Sequence, residues 1–333
     1  MLIKMIGRGT YYKEIVEACD LVRRGNFDLL VNYGLQGTRL DRITEMHPEW
    51  FDDHEVFNHY QYGNKYEVVK AIKEVAPIFN IESRFSSGFQ LIVPESHRHR
   101  RNIEHLENVL AKPYYSLGGR SICRLEDYDG PSNTHYFQEQ VMDRKYELRV
   151  HAFNWMNPDS YLCQKRIHPD GNNQLTWNHH TGGSFETVEE PLRYNVFKEA
   201  QKISSFILKK LGYQFAALDY IITHDYNIWF IEANLAPGFT MDVTRDAYIT
   251  AFHSLKEIPV TEIPRLLYRE PVLDEINVQD ACDDIFRSSS EPEDASYSIN
   301  NETREAIGVA LREIMEKVNE IAHAVGLEYG IDR

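Results

Sequence analysis

The fold is decided by the stretch FAALDYIITHDYNIWFIEANLAPG, residues 215–238. It contains two runs that are rich in β-branched and aromatic residues, Phe215–Ile222 and Ile228–Ala233. The residues between the runs include His224-Asp225-Tyr226-Asn227, and Asp and Asn side chains favour tight turns. The pattern therefore predicts an antiparallel β-hairpin.

Two acidic residues of this hairpin are expected to face each other. A turn centred on Asp225-Tyr226 puts Asp219 directly opposite Glu232, with Cβ atoms about 5 Å apart. Asn234 shares their face because side chains alternate along a strand. Facing carboxylates repel unless a cation lies between them, and ligands that are all oxygen suit Mg²⁺ or Mn²⁺. A metal site and two unrelated surface acids both remain open, since a slip of one residue separates the pair.

Two further motifs stand upstream of the hairpin. Val109–Pro113 is a short apolar run with Lys112 near its end, and Gly118-Gly119 follows it. A lysine before a glycine-containing loop can hold nucleotide phosphates while the amides of the loop cover them. The strand predicted over His135–Val141 offers a backbone edge beside an acid, which can bind an adenine and a ribose. Taken alone, both motifs are common.

The elements around these motifs predict a mixed α/β chain. Leu2–Ile6 and Phe27–Tyr33 are predicted strands with a helix between them, which is how a parallel α/β unit begins. Apolar spacing predicts one amphipathic helix from Asn64 onwards and another over Val196–Leu211. Ser96–Leu110 is predicted to be a polar helix with a solvated face.

Charge and cysteine content exclude several classes of protein. The 333 residues include 36 Lys and Arg against 51 Asp and Glu, a net charge of −15. Such a chain repels nucleic-acid phosphates and anionic lipids, so we expect neither nucleic acid nor a membrane as partner. The four cysteines are far apart, which is typical of reduced thiols in the cytoplasm. We expect a soluble cytoplasmic enzyme.

Taken in order, the motifs resemble the ATP-grasp superfamily, particularly its carboxylate–amine ligases, from about Asn64 to Thr240. The most specific match is Asp219, followed thirteen residues later by Glu232-Ala233-Asn234 and then by Pro237-Gly238. By this resemblance the ATP-binding residues are Lys65, Lys112, Glu139, Gln140, Val141 and Glu147. The metal ligands are Asp219, Glu232 and Asn234, and the residues beside the transferred phosphate are Arg149, Lys165 and Arg166.

The resemblance implies an α/β (α+β) fold of the ATP-grasp type and a reaction that uses ATP and Mg²⁺ (or Mn²⁺). In this reaction a carboxylate is activated as an acyl phosphate, an amine attacks it, and ADP and phosphate are released. The expected substrates are a small-molecule or peptide carboxylate and an amine. The alternatives are a phosphotransferase that acts on a hydroxyl and a non-catalytic scaffold.

The predicted domain organisation has five parts. These are an N-terminal α/β domain with a parallel sheet (1–80), a lid domain (81–145), a core domain that carries the metal hairpin (146–286), a polar linker (287–300) and a C-terminal amphipathic helix (301–333). The apolar residues of this helix have a heptad-like spacing. The helix is therefore expected either to dock on its own core or to help form a homo-oligomer.

Overall fold

The computed structural model describes residues 1–267 except 8, 60–63, 85–88, 104, 116–120, 132, 178–180, 187–193 and 240. Met1–Val272 form one compact unit. The predicted linker 287–300 and helix 301–333 lie outside the described residues. Within the described ranges, no helix is long and apolar enough to cross a membrane.

The described residues confirm a mixed α/β architecture. In chain order the strands are β1 (Ile3–Gly7), β2 (Leu29–Tyr33), β3 (Glu55–Phe57), β4 (Leu91–Ile92), β5 (Ser96–His97), β6 (Val109–Pro113), β7 (Cys123–Arg124), β8 (His135–Glu139), β9 (Arg144–Phe153), β10 (Leu162–Ile167), β11 (Ser184–Glu186), β12 (Phe215–Thr223) and β13 (Ile228–Asn234). The helices are α1 (Tyr11–Ala18), α2 (Thr38–Met46), α3 (Glu49–Asp52), α4 (Lys65–Arg84), α5 (Tyr194–Leu211), α6 (Asp242–Lys256) and α7 (Ile263–Leu267).

The N-terminal part is a parallel sheet with the order β1-β2-β3. This confirms the parallel α/β unit predicted from the apolar runs. Aromatic contacts join the sheet to the rest of the unit, because the Tyr33 ring lies 5.9 Å from that of Phe215. The Tyr33 hydroxyl also donates a 2.7 Å hydrogen bond to the carbonyl of Pro237, in the loop that follows β13.

A second sheet has the order β5-β8-β6-β7 and is antiparallel throughout. The polar helix predicted over Ser96–Leu110 is wrong. His97 pairs with Phe137 of β8, and a short 3-10 turn follows over Arg100–Ile103 before β6 begins. Ile103 is fully buried in a cluster with Val109, Ala111 and Phe137 of this sheet, so the segment packs on the sheet and does not form a solvated helix.

The third sheet has six strands in the order β11-β10-β9-β12-β13-β4. Strand β9 shows how its two faces differ. Tyr146, Leu148 and Val150 are buried against the apolar side of α5. Since side chains alternate along a strand, Glu147 and Arg149 lie on the opposite face. The helices therefore cover one face of this sheet and leave polar groups on the other.

The predicted hairpin is formed by β12 and β13. Asp219 pairs with Glu232, which confirms the predicted pairing. The assumption of one uniform register is wrong, however, because Ile221 pairs with Trp229 nearer the turn and the register shifts between Asp219 and Tyr220. An extra residue in β13 at this bulge brings the two acids opposite each other.

Candidate active site

The candidate site is a cleft between two sheet faces. The four-stranded sheet contributes Lys112 and Gln138, and the six-stranded sheet contributes Glu147, Asp219 and Glu232. Apolar side chains complete the walls of the cleft, namely Leu110, Ile122, Val141, Leu175, Ile221 and Ile231, together with Trp177. Charged side chains and apolar side chains thus line the same cleft.

A row of paired residues crosses the six-stranded sheet, and two of its members, Asp219 and Glu232, line the cleft. Strand register aligns Gln164 with Arg149, Arg149 with Asp219, and Asp219 with Glu232. Arg149 donates two hydrogen bonds to Asp219, from Nε to Oδ1 at 2.6 Å and from Nη2 to Oδ2 at 2.7 Å. Lys65, at the start of α4, donates to Oε2 of Glu232 at 2.6 Å. Each carboxylate therefore has its own cation.

These contacts set the charge of the row. Burial alone would raise the pKa of Asp219, but the charge and hydrogen bonds of Arg149 outweigh it and lower the pKa to about 2. Burial is the largest single influence on Glu232 and opposes its ionisation, but the charge and hydrogen bond of Lys65, together with the charge of Lys112, lower the pKa of Glu232 overall. Both carboxylates are ionised at neutral pH.

The predicted metal ligands are brought together on this face. Asn234 pairs with Ala217, two residues from Asp219, and its Oδ1 accepts a 3.0 Å hydrogen bond from the amide of Ala236. Among the described residues, no group of three or more His, Cys, Asp and Glu is arranged to hold a metal. The donors at this site are instead two ionised carboxylates and one amide oxygen, a set whose chemistry fits a hard divalent cation.

A second row lies beside the first. Arg166 donates to Oε2 of Glu147 at 2.6 Å, and Arg144 donates to Oε1 at 2.8 Å. The Arg166 guanidinium lies 3.9 Å from Oδ2 of Asp219, so it faces the cleft. Lys165 lies over the ring of Tyr146 and contacts Glu186, on the side away from the cleft. The structure therefore brings Arg166, and not Lys165, into the site.

Lys112 is held inside the opposite wall. Its Nζ donates to Oε1 of Gln138 at 2.7 Å, and Gln138 in turn donates to Oγ of Ser96 at 3.0 Å. Burial lowers the pKa of Lys112 to about 8. The backbone amide of Lys65 donates to the carbonyl of Tyr114, just after β6, at 3.4 Å. Both predicted phosphate lysines therefore lie near the end of β6, while the glycine loop 116–120 is outside the described residues.

The segment 139–141, called the hinge below, follows β8 of the four-stranded sheet and leads towards β9 of the six-stranded sheet. Glu139 and Val141 line the cleft, and Gln140 lies between them. The amide of Glu139 donates to Glu95 at 2.8 Å, and the amide of Gln140 donates to the carbonyl of Asn108 at 2.9 Å. These hydrogen bonds fix the hinge to its neighbours.

Two cleft residues were missed by the sequence reasoning, Gln138 and Arg144. Gln138 lies two residues after Tyr136, which pairs with Lys112, so strand alternation could have put it on the lysine's face. Arg144 is three residues before Glu147 in β9, and a register shift between Tyr146 and Arg144 puts the arginine on the same face as that carboxylate. No local signal predicts this contact.

Neither a family model nor a curated protein matches the chain. Similar solved structures include the macrocyclase MdnC of Microcystis aeruginosa bound with precursor peptide MdnA (TM-score 0.47, 10% identity, covering 77% of this chain and 100% of that one). Another is a RiPP-associated ATP-grasp ligase of Chryseobacterium gregarium in complex with ADP and a leader and core peptide (TM-score 0.46, 13% identity, covering 78% of this chain and 98% of that one). A third is the ATP-grasp ligase PsnB complexed with minimal precursor, Mg and ADP (TM-score 0.44, 13% identity, covering 75% of this chain and 96% of that one). ATP-grasp ligases are thus among the solved structures similar to this chain.

Proposed function

We propose that this protein is an ATP-dependent ligase of the ATP-grasp type that joins a carboxylate to an amine. One observation carries the proposal: two facing sheets bring lysines and an Asp–Glu pair into a single cleft. Lysines favour phosphates, paired carboxylates favour a hard cation, and apolar walls favour a flat base. Bound ATP with its metal requires all three.

Each part of ATP has a group of matching chemistry. Lys65 and Lys112 would contact phosphate oxygens, and Glu147 would accept hydrogen bonds from the ribose hydroxyls. Val141 and the hinge carbonyls would bind the adenine edge. Asp219, Glu232 and Asn234 would hold Mg²⁺ (or Mn²⁺), which would supply positive charge to the β- and γ-phosphates.

The reaction proceeds in two steps. An oxygen of the substrate carboxylate attacks the γ-phosphorus, the bond from that phosphorus to the β–γ bridging oxygen breaks, and ADP leaves. The amine nitrogen then attacks the carbonyl carbon of the acyl phosphate, phosphate leaves with its oxygen, and the nitrogen loses a proton. Arg166 faces Asp219 across 3.9 Å and is positioned to stabilise the negative charge that develops on the phosphoryl group.

Hydroxylamine tests this reaction without knowledge of the amine substrate, because it converts acyl phosphates to hydroxamates. The protein is incubated with ATP, Mg²⁺, hydroxylamine and pools of amino acids and short peptides, and both ADP and hydroxamate are measured. A ligase gives the two products in equal amounts with at least one pool. Its products with natural amines then distinguish a small-molecule carboxylate from a peptide carboxylate.

The other outcomes identify the alternatives. ADP with a phosphate ester and no hydroxamate indicates a phosphotransferase acting on a hydroxyl. Nucleotide binding without any turnover indicates a scaffold. Glu74→Gln is a suitable control for the site variants, because Glu74 is an exposed acid on α4 whose contact is with Lys70 at 3.8 Å.

A further inference from the structure

Each proposed metal carboxylate is already neutralised by a cation of the chain. Arg149 binds both oxygens of Asp219, and Lys65 binds Glu232 at 2.6 Å. The two acids face each other in register and would otherwise repel. A divalent cation that enters this row therefore meets a site whose two negative charges are matched by two positive ones.

The two cations differ in how easily they can leave. Arg149 lies in the middle of a ten-residue strand and makes a bidentate contact that fixes its guanidinium. Lys65 is the first residue of α4, its side chain is 23% exposed, and it makes a single contact through a flexible stem. Lys65 is the cation that can exchange its partner.

Lys65 is also a proposed phosphate ligand, and one ammonium group cannot serve Glu232 and ATP equally. We propose that Lys65 is an internal counter-ion that couples metal binding to nucleotide binding. Without nucleotide it occupies Glu232 and competes with the metal. When ATP binds, the phosphates draw Lys65 away, and Glu232 becomes an uncompensated carboxylate that attracts the divalent cation.

The coupling is reciprocal, since a metal on Glu232 likewise releases Lys65 to the phosphates. The inference rests on the proposed function, because it requires ATP and a metal at this cleft. It goes beyond that function because it assigns Lys65 a second role. It also predicts that bound nucleotide increases the affinity of the site for the metal. It also predicts that removal of a positive residue strengthens metal binding specifically at Glu232.

Mn²⁺ binding to the nucleotide-free full-length protein tests this role. Free Mn²⁺ is measured by electron paramagnetic resonance for the wild type, Lys65→Met and Lys70→Met. Lys70 is a matched control because it lies on the same helix, is 59% exposed and is paired with Glu74. Loss of one competing charge-assisted hydrogen bond should raise the Mn²⁺ affinity of Lys65→Met about tenfold, while Lys70→Met stays near the wild-type value.

A double variant and a measurement with ADP distinguish the possible outcomes. The double variant Lys65→Met/Glu232→Gln should lose the gain, which assigns it to this carboxylate, and melting of each variant checks folding. An unchanged or weaker Mn²⁺ affinity in folded Lys65→Met overturns the counter-ion role, and so does a gain that survives Glu232→Gln. If the wild type binds no Mn²⁺ even with saturating ADP, the proposed function itself fails.

Discussion

At the scale of single residues, Glu232 contributes to stability through its partner. Burial and the nearby Asp219 act to raise its pKa, but the charge and hydrogen bond of Lys65 and the charge of Lys112 together lower it, so the ionised form favours folding. That contribution is present above the carboxylate's unfolded pKa and is lost as the pH falls through the lower folded pKa. Sequence reasoning alone suggests the opposite, since two facing acids without visible partners should repel.

Glu232→Gln is therefore expected to lower the free energy of unfolding at pH 7 by about 1 kcal/mol, because a part-buried ion pair is lost. It should also abolish Mg²⁺-dependent turnover, since an amide lacks the charge that a hard cation requires. Urea denaturation and ADP release measure the two effects, with Glu74→Gln as control. Near-wild-type turnover at ordinary Mg²⁺ concentrations would exclude Glu232 as a metal ligand.

If Lys112 contacts the phosphates as proposed, the affinity for ATP is expected to depend on pH. Burial lowers its pKa to about 8, so this lysine loses its charge as the pH rises from 7 to 9. We expect ATP affinity to fall over that range and binding near pH 8 to take up protons. Lys112→Met should bind ATP at least about tenfold more weakly at pH 7, since a charged hydrogen bond is lost.

Calorimetry in two buffers with different ionisation enthalpies measures the proton uptake. The Lys112→Met variant should show little dependence of ATP affinity on pH between 7 and 9, whereas Lys70→Met should follow the wild type. A wild-type affinity that is constant across this range would show that Lys112 does not contact the phosphates.

At the scale of secondary structure elements, local patterns predicted what local chemistry determines. The hairpin, α5 and the start of α4 follow from apolar spacing and turn residues, which act over a few positions. Strand β5 was missed because its two residues are held by pairing with β8, some forty residues away in sequence. The bulge was missed for a related reason, as strand period alone does not show where an extra residue enters.

The contact between the first sheet and the loop after β13 is also non-local, and glycine substitution tests it. Gly34 has φ of +72°, and a Cβ there would lie 2.3 Å from that of Ala236. Gly9 has φ of +84° with nothing within 4 Å of such a Cβ. Each Gly→Ala change should cost about 1–2 kcal/mol for the left-handed backbone, and Gly34→Ala should cost about 1–3 kcal/mol more through the clash.

Chemical denaturation measures the free energy of unfolding of the two variants. The difference between their losses is the contribution of the clash, because the cost of the left-handed backbone is similar in both. Gly34→Ala should also weaken Mn²⁺ binding in the presence of ADP, since Ala236 donates its amide to Asn234, a proposed metal ligand. Equal losses of stability in the two variants would contradict the close packing of Gly34 on this loop.

At the scale of the whole molecule, the proposed residues of the candidate site belong to one compact unit. Its proposed residues range from Lys65 to Asn234, and all lie within Met1–Val272. The two walls of the cleft come from two different sheets, and a ligand that binds both walls binds only the folded state and therefore stabilises it. ATP at one hundred times its dissociation constant should add about 2.7 kcal/mol to the free energy of unfolding.

The C-terminal helix predicted over 301–333 is expected to affect assembly and not nucleotide binding. Its apolar positions, Ile307, Leu311, Ile314, Val318, Ile321 and Val325, have the spacing of a helical seam, and residues 287–300 before it are predicted to be a polar linker. A chain that ends at Phe286 should bind ATP within about twofold of the full-length affinity, because every proposed ligand is kept.

Light scattering at several concentrations should show self-association of the full chain and a monomer after truncation. If the full-length chain is already monomeric, or if the shortened chain forms an oligomer with the same number of copies, this helix does not mediate assembly. A loss of ATP binding on truncation would instead show that the C-terminal residues contribute to the site.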